Sequence, residues 1–205
     1  MKILIGTKNA YKSGEMEHLL KDIPDVEIIF LKDVHLNVTV EEDQASLLGN
    51  AKKKAREISA NCDYYVLCSD GGMSIPGLGN KWDILRNQRI VGENSSDIRK
   101  VNNLLELMKD LKGEERVAEY SFALALGYQG KVLWSTEEIT EKGLILEDQK
   151  DLEIPEYKWM GQLLYFPEYK NIHNKLTDNQ RADLRTKSMA KLKNKLDEFI
   201  TNYKF

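Results

Sequence analysis

Apolar and polar positions fall in alternating blocks, and these predict strands alternating with helices. Ile3, Leu4 and Ile5 form an apolar run that stops at Gly6, predicting a buried strand over residues 2–6. A polar loop of Thr7, Lys8, Asn9 and Lys12 follows, and a helical pattern covers 13–23. Residues 26–31 read as a second strand, and a loop over 32–43 carries Glu41, Glu42 and Asp43. Leu47, Leu48, Ala51, Ala55 and Ile58 recur at helical spacing within a helix expected over 44–60. A third buried strand at 64–68 ends in Ser69-Asp70, before a loop containing Gly71, Gly72, Pro76, Gly77 and Gly79. A helix is expected over 95–111, capped by Ser95 or Ser96.

The pattern then changes character. Residues 116–128 and 131–140 read as strands joined at Gln129-Gly130, a hairpin signal, and 144–146 is placed to extend that sheet. Residues 147–156 are acidic and polar, a loop, and 163–166 is a short strand closed by Pro167. From Thr177 one helix runs to the C-terminus. Thr177 and Gln180 suit a capping box, and Met189, Leu192, Leu196, Phe199 and Ile200 form its apolar stripe. This order predicts an α/β fold with a mixed sheet. Loops 7–12, 41–43 and 69–72 converge on one side if their strands are parallel, the side where ligands gather in open α/β sheets.

The first of these loops is a candidate anion site. A strand feeding a polar loop at a helix N-terminus presents free N–H groups and the positive end of the helix dipole, and its lysines add charge. No GxxxxGK[ST] occurs, so this is not a Walker A loop.

Composition narrows the classes. The chain of 205 residues suits one domain with a sizeable core, in one lobe or two. A formal charge of −3 argues against nucleic-acid binding, although Lys52, Lys53, Lys54 and Arg56 form a local basic cluster. No apolar run approaches the roughly 20 residues of a membrane span, and Met1-Lys2 leads straight into a strand with no secretory leader. Cys62 and Cys68 have no metal or redox spacing and read as reduced thiols of a cytoplasmic protein. His18, His35 and His173 are scattered and form no metal cluster.

Taken together, the loops resemble the inosine triphosphate pyrophosphatase family, the non-standard purine nucleoside triphosphate pyrophosphatases. The family's T-G-N-x-x-K reads here as Thr7-Lys8-Asn9-Ala10-Tyr11-Lys12. Its E-T-G-x-x-F-x-E-N-A-x-x-K-A reads as the segment from Glu42 to Ala55, with Gln44, Gly49, Asn50 and Lys54 at its third, eighth, ninth and thirteenth places. A-D-D-S-G-L reads as Cys68-Ser69-Asp70-Gly71-Gly72-Met73. A-R-x-x-G is matched in part by Gln88-Arg89-Ile90-Val91-Gly92, and R-x-A by Arg116-Val117-Ala118. Order and spacing match along almost the whole chain. The departures concentrate at two places. One of the paired acids is Ser69, and the Glu of E-N-A is Gly49. The base-pocket motif G-F-G-Y-D-P is reduced to the segment from Lys158 to Leu163, and of S-H-R-x-x-A-L only Arg185 survives, with Leu184 at the histidine position and Gln162 at the aspartate position.

The resemblance implies a single domain over 1–205 with an elongated mixed β-sheet flanked by helices, in two lobes with an active-site cleft between them. It implies hydrolysis of a nucleoside triphosphate to the monophosphate and pyrophosphate, with Mg2+ or Mn2+. The metal ligands it implies are Glu42 and Asp70, with Asp70 and Lys54 catalytic and Thr7, Asn9, Lys12 and Gly71 on the phosphates. Trp159 would stack on the base and Arg185 would contact it. A homodimer is implied too, with neither nucleic acid nor membrane as partner. Read singly, Glu42 is also what a solvated loop acid looks like, Lys52 and Lys53 a solvated helix face, Gly71-Gly72 a tight turn, and Trp159 equally a core residue. Two other functions stay open: a nucleotide-binding member with weakened or no catalysis and a regulatory or scaffolding role, and an enzyme acting on another phosphorylated small molecule.

Overall fold

The computed structural model of the chain describes residues 1–36, 38–89, 91–92, 95–148 and 159–203. Ile90, Lys158 and most of the expected 147–156 loop lie outside them. Contacts divide the chain into two compact units. One comprises Met1–Gly71, Phe122–Glu138 and Ser188–Phe205, the other Gly72–Ser121 and Ile139–Lys187.

The elements alternate as the hydrophobic blocks predict. Strands β1 (Lys2–Ile5), β2 (Glu27–Phe30) and β3 (Tyr65–Ser74) are interleaved with helices α1 (Ala10–Leu20) and α2 (Leu47–Ser59). Helix α3 (Asp97–Leu107) precedes the hairpin β4 (Val117–Tyr128) and β5 (Lys131–Ile145). Short strands β6 (Leu164–Phe166) and β7 (Asn171–Ile172) lead to helix α4 (Asp178–Asn202). The seven strands form one sheet in the order β2-β1-β3-β4-β5-β6-β7. β1 runs parallel to both β2 and β3, whereas β5–β6 and β6–β7 are antiparallel, so the sheet is mixed. The hairpin turns at Gln129 and Gly130, whose φ values of +47° and +73° suit a tight two-residue turn.

In the first unit, Ile3, Leu4, Ile5, Val66 and Leu67 are wholly buried. So are Met16, Leu19, Ala51, Ala55, Leu192 and Leu196, which are the apolar stripes of α1, α2 and α4. The second unit has its own core, in which Met73, Leu78, Trp82, Val101, Leu104, Met108, Trp159 and Phe166 pack together.

Among the boundaries that differ from the sequence reading, three have a local reason. Helix α1 starts at Ala10, earlier than expected, because Asn9 caps it, its side chain accepting from the Lys12 N–H at 3.1 Å. Helix α2 starts later, at Leu47, because Ser46 accepts from the Gly49 N–H at 3.0 Å and leaves residues 44–46 outside. β3 does not stop at Cys68 but continues through Ser74, so Gly71 and Gly72 lie in a strand and not in a turn. A Cβ on Gly72 would sit 2.4 Å from the Ile84 carbonyl oxygen, so glycine here admits a close backbone crossing. Met73 and Asn87 reinforce the same crossing, Met73 donating its N–H to the Asn87 side chain. β7 was not foreseen, and two residues are too few to leave a periodic trace.

Candidate active site

Parallel pairing of β1 with β3 brings the loop after β1 beside Ser69 and Asp70, which lie within β3 past the carboxyl end of β1. The register sets Ile5 against Leu67, so the chain leaving β1 passes Ser69 and Asp70 as it turns into α1. Thr7 Oγ1 accepts from the Asn9 N–H at 3.2 Å, and Asn9 caps the helix. Both side chains thereby shape the turn that exposes the first N–H groups of α1, an arrangement suited to an anion. Lys12, in the first turn, reaches back to Asp70 Oδ1 at 2.9 Å.

The second loop meets the same point through α2. Lys54 Nζ stands 2.5 Å from Glu42 Oε1 and 3.6 Å from Asp70 Oδ1, one ammonium between two carboxylates. Lys53, on the neighbouring helical position, bonds Asp43 at 2.8 Å and so pins the acidic loop to the helix. Asn50 lies one turn before Lys54 and donates to Asp70 Oδ2 at 3.1 Å. The sequence therefore brings Lys12, Glu42, Asn50, Lys54 and Asp70 into one cluster, within the first unit.

Asp70 is buried, at 5% exposure. Burial alone would push its carboxyl up. The charges of Lys12 and Lys54, with the hydrogen bonds from Lys12 and Asn50, outweigh it and hold the group below the ordinary carboxylate range. Asp70 is thus kept ionised, as a metal ligand must be.

A hard divalent cation fits this donor set. The Lys54 ammonium lies between the two carboxylates, and Glu42 and Asp70 would hold a cation through hard oxygen donors. Among the described residues no group of three or more His, Cys, Asp or Glu is placed to hold a metal. A pair of carboxylates suits Mg2+, which takes few protein ligands and keeps several waters.

Ser69, where the motif carries an acid, does not join this cluster. Strand alternation turns it to the face opposite Asp70, where its Oγ is buried without a hydrogen-bond partner. Gly71 follows in the same strand, half-buried.

The profile of the Ham1 family matches residues 3–195. The chain belongs to the Ham1 family. Among Ham1 relatives, a dITP/XTP pyrophosphatase of Clostridium perfringens is 29% identical over 204 residues, covering 95% of this chain and 97% of the relative. A dITP/XTP pyrophosphatase of Exiguobacterium sibiricum is 28% identical over 205 residues, covering 98% and 99%. The fold is that of a solved HAM1 protein from Coxiella burnetii, with a TM-score of 0.77 at 21% identity, covering 97% of this chain and 99% of that one.

The residues expected at the base stand apart from this cluster in the sequence and belong to the second unit. Trp159 is wholly buried, its ring centroid 6.5 Å from that of Trp82. Leu184 is buried in the same core and Gln162 is buried at 5% exposure, whereas Arg185 is exposed on α4. Arg116, read from R-x-A, is structural. It is buried, and its guanidinium donates to the carbonyls of Met108, Leu111, Ile145 and Leu146. The sequence reading gives Asn50 no role at the site. Its place in E-N-A was the signal that would have found it.

Proposed function

We propose that this Ham1-family chain is a divalent-metal-dependent nucleoside triphosphate pyrophosphatase, cleaving a nucleoside triphosphate with water to the monophosphate and pyrophosphate. The observation that carries the reading is Lys54 standing between Glu42 and Asp70, with Lys12 on the same Asp70. Two cations and two carboxylates at a helix N-terminus are the parts that cleavage of a phosphoanhydride needs. The names of the full-length relatives point the same way.

In this reading Glu42 and Asp70 hold the metal, Mg2+ by preference with Mn2+ as substitute. Bound there, the metal supplies Lewis-acid charge neutralisation to the phosphate chain. Lys12 and Lys54 turn from the carboxylates to phosphate oxygens, joined by the Asn9 and Thr7 turn, the α1 N–H groups and the backbone at Gly71. Asp70, held ionised, accepts a hydrogen bond from the attacking water and orients it. The protein works in the cytoplasm, as a homodimer.

Base selectivity is proposed to differ from the dITP and XTP of the relatives' names. Leu184 lies in a core, Gln162 is an amide where the motif carries a carboxylate, and Trp159 offers no exposed face. Polar groups missing from a base pocket remove the contrast between purine edges. Arg185 is the position kept for the base. Pyrophosphate release across ITP, XTP, dITP and the standard triphosphates, with Mg2+ or Mn2+, tests both statements. Release with every base within about tenfold of the others in kcat/KM, near 1.4 kcal/mol, is expected. A preference of several hundredfold for ITP or XTP would overturn the altered selectivity. Tight nucleotide binding without turnover would replace the enzyme by the second reading, a nucleotide-binding protein, which the loss of acids at Ser69 and Gly49 favours.

A further inference from the structure

Asn50 is the neutral side chain of the cluster, and it bonds the Asp70 carboxylate at one end and the Gln44 backbone at the other. It is 4% exposed on α2. Its Oδ1 accepts from the Gln44 backbone N–H at 3.0 Å, and its Nδ2 donates to Asp70 Oδ2 at 3.1 Å. The amide can be oriented only this way, because an N–H needs an acceptor and a carboxylate needs a donor. Gln44 follows directly on the loop that carries Glu42 and Asp43. One buried amide thus ties the strand bearing Asp70 to the loop bearing Glu42.

The two oxygens of Asp70 are not equivalent. Oδ1 faces Lys12 and Lys54, while Oδ2 has Asn50. A triphosphate competes for the ammonium groups, which sit on long flexible stems. It does not compete for a short, buried amide whose other end is fixed to backbone. When the lysines leave, Asn50 is what stays.

Resting on the pyrophosphatase reading above, we propose that Asn50 is a positioning residue. It keeps the Asp70 carboxylate and the Glu42–Gln44 loop in register for the metal while Lys12 and Lys54 pass to the phosphates. It touches no phosphate itself. Its loss therefore weakens metal binding in the nucleotide complex and leaves metal-free nucleotide binding intact.

The test uses the full chain and two variants, Asn50→Leu, close in size, and Asn50→Ala, which introduces no bulk. Mn2+ binding is titrated by electron paramagnetic resonance with an α,β-methylene triphosphate bound. Binding of that analogue without metal is measured by calorimetry, and kcat and KM with Mg2+ are measured alongside melting curves. The expected result is Mn2+ affinity and kcat lower by roughly 10- to 100-fold, the usual effect of losing an outer-shell partner. Metal-free analogue affinity should stay within about twofold, since phosphate contacts are untouched. Equal loss of analogue and Mn2+ binding would overturn the proposal in favour of a merely structural role. Unchanged Mn2+ affinity and kcat in a folded variant would overturn it as well. A wild-type chain that neither releases pyrophosphate nor binds Mn2+ beside the analogue would overturn the pyrophosphatase reading, and this inference with it.

Discussion

Gly49 shows how a single residue's meaning depends on its neighbour. The motif carries Glu at this place and Gly where this chain has Gln44. A Cβ on Gly49 would meet Gln44 Cβ at 2.9 Å and Ser46 Oγ at 3.0 Å, so the glycine answers to the glutamine. Gly49→Ala should lose about 1 kcal/mol to this crowding, despite the helix propensity gained. In a Gln44→Gly background the same change should cost nothing, a coupling of about 1 kcal/mol in a urea double-mutant cycle. Asp70 allows a sharper expectation. Its folded-state pKa is depressed, so its stabilising contribution is full above the ordinary carboxylate value and is lost as pH falls through the folded-state value beneath it. Asp70→Asn should abolish turnover by orders of magnitude while the fold persists. Denaturation from pH 7 to pH 3 should show the stability gap between wild type and variant narrowing only at the acid end. Lys12→Ala and Lys54→Ala should each weaken every triphosphate by a similar factor, about tenfold, because an ammonium is blind to the base. A loss confined to one base would contradict their place on the phosphates. At this scale the polar cluster was legible, since Lys12, Glu42, Lys54 and Asp70 stand in a motif order that only a shared site explains. The burial of Trp159 was not, because indole serves core and stacking alike and only its meeting with Trp82 decides.

Elements were legible wherever one period dominated. α2, α3 and the β4–β5 hairpin follow their apolar patterns, and the Thr177–Gln180 capping box forms in both directions, at 3.3 and 2.9 Å. Boundaries failed where a cap set the helix start, as Asn9 does for α1 and Ser46 for α2, or where a crossing segment recruited glycines into a strand, as with Gly72 beneath Ile84. No local pattern announces a partner that arrives from elsewhere in the chain. Arg116 makes the same point from the stabilising side. Its guanidinium bonds carbonyls at the end of α3, beyond it, and at the end of β5. Burial lowers its pKa, yet the fork of donors leaves none of these oxygens unmet. Lysine cannot reproduce that fork, so Arg116→Lys should destabilise by about 2–4 kcal/mol, read from urea midpoints, although no substrate contact is lost.

The chain has the fold of a solved protein to which it is 21% identical, so few shared positions suffice for the fold to persist. The polar cluster lies in the first unit, whereas the second unit carries the substitutions at the base motifs. No helix among the described residues is long and apolar enough to cross a membrane. The chain carries a net charge of −3, and the cluster past the carboxyl end of β1 is itself balanced, Lys12 and Lys54 against Glu42 and Asp70. That balance makes the tethered carboxylates intramolecular competitors for the lysines. Linked through folded backbone, they act at an effective concentration no free anion in millimolar supply matches. Inorganic phosphate should therefore inhibit turnover poorly, with an inhibition constant above about 10 mM, and Lys54→Gln should not sharpen it. A metal–triphosphate complex brings a cation for the carboxylates and an anion for the lysines in the same encounter, and so exchanges both partners at once. The bridging ammonium thus works as a filter that favours the paired ligand over a small free anion such as phosphate.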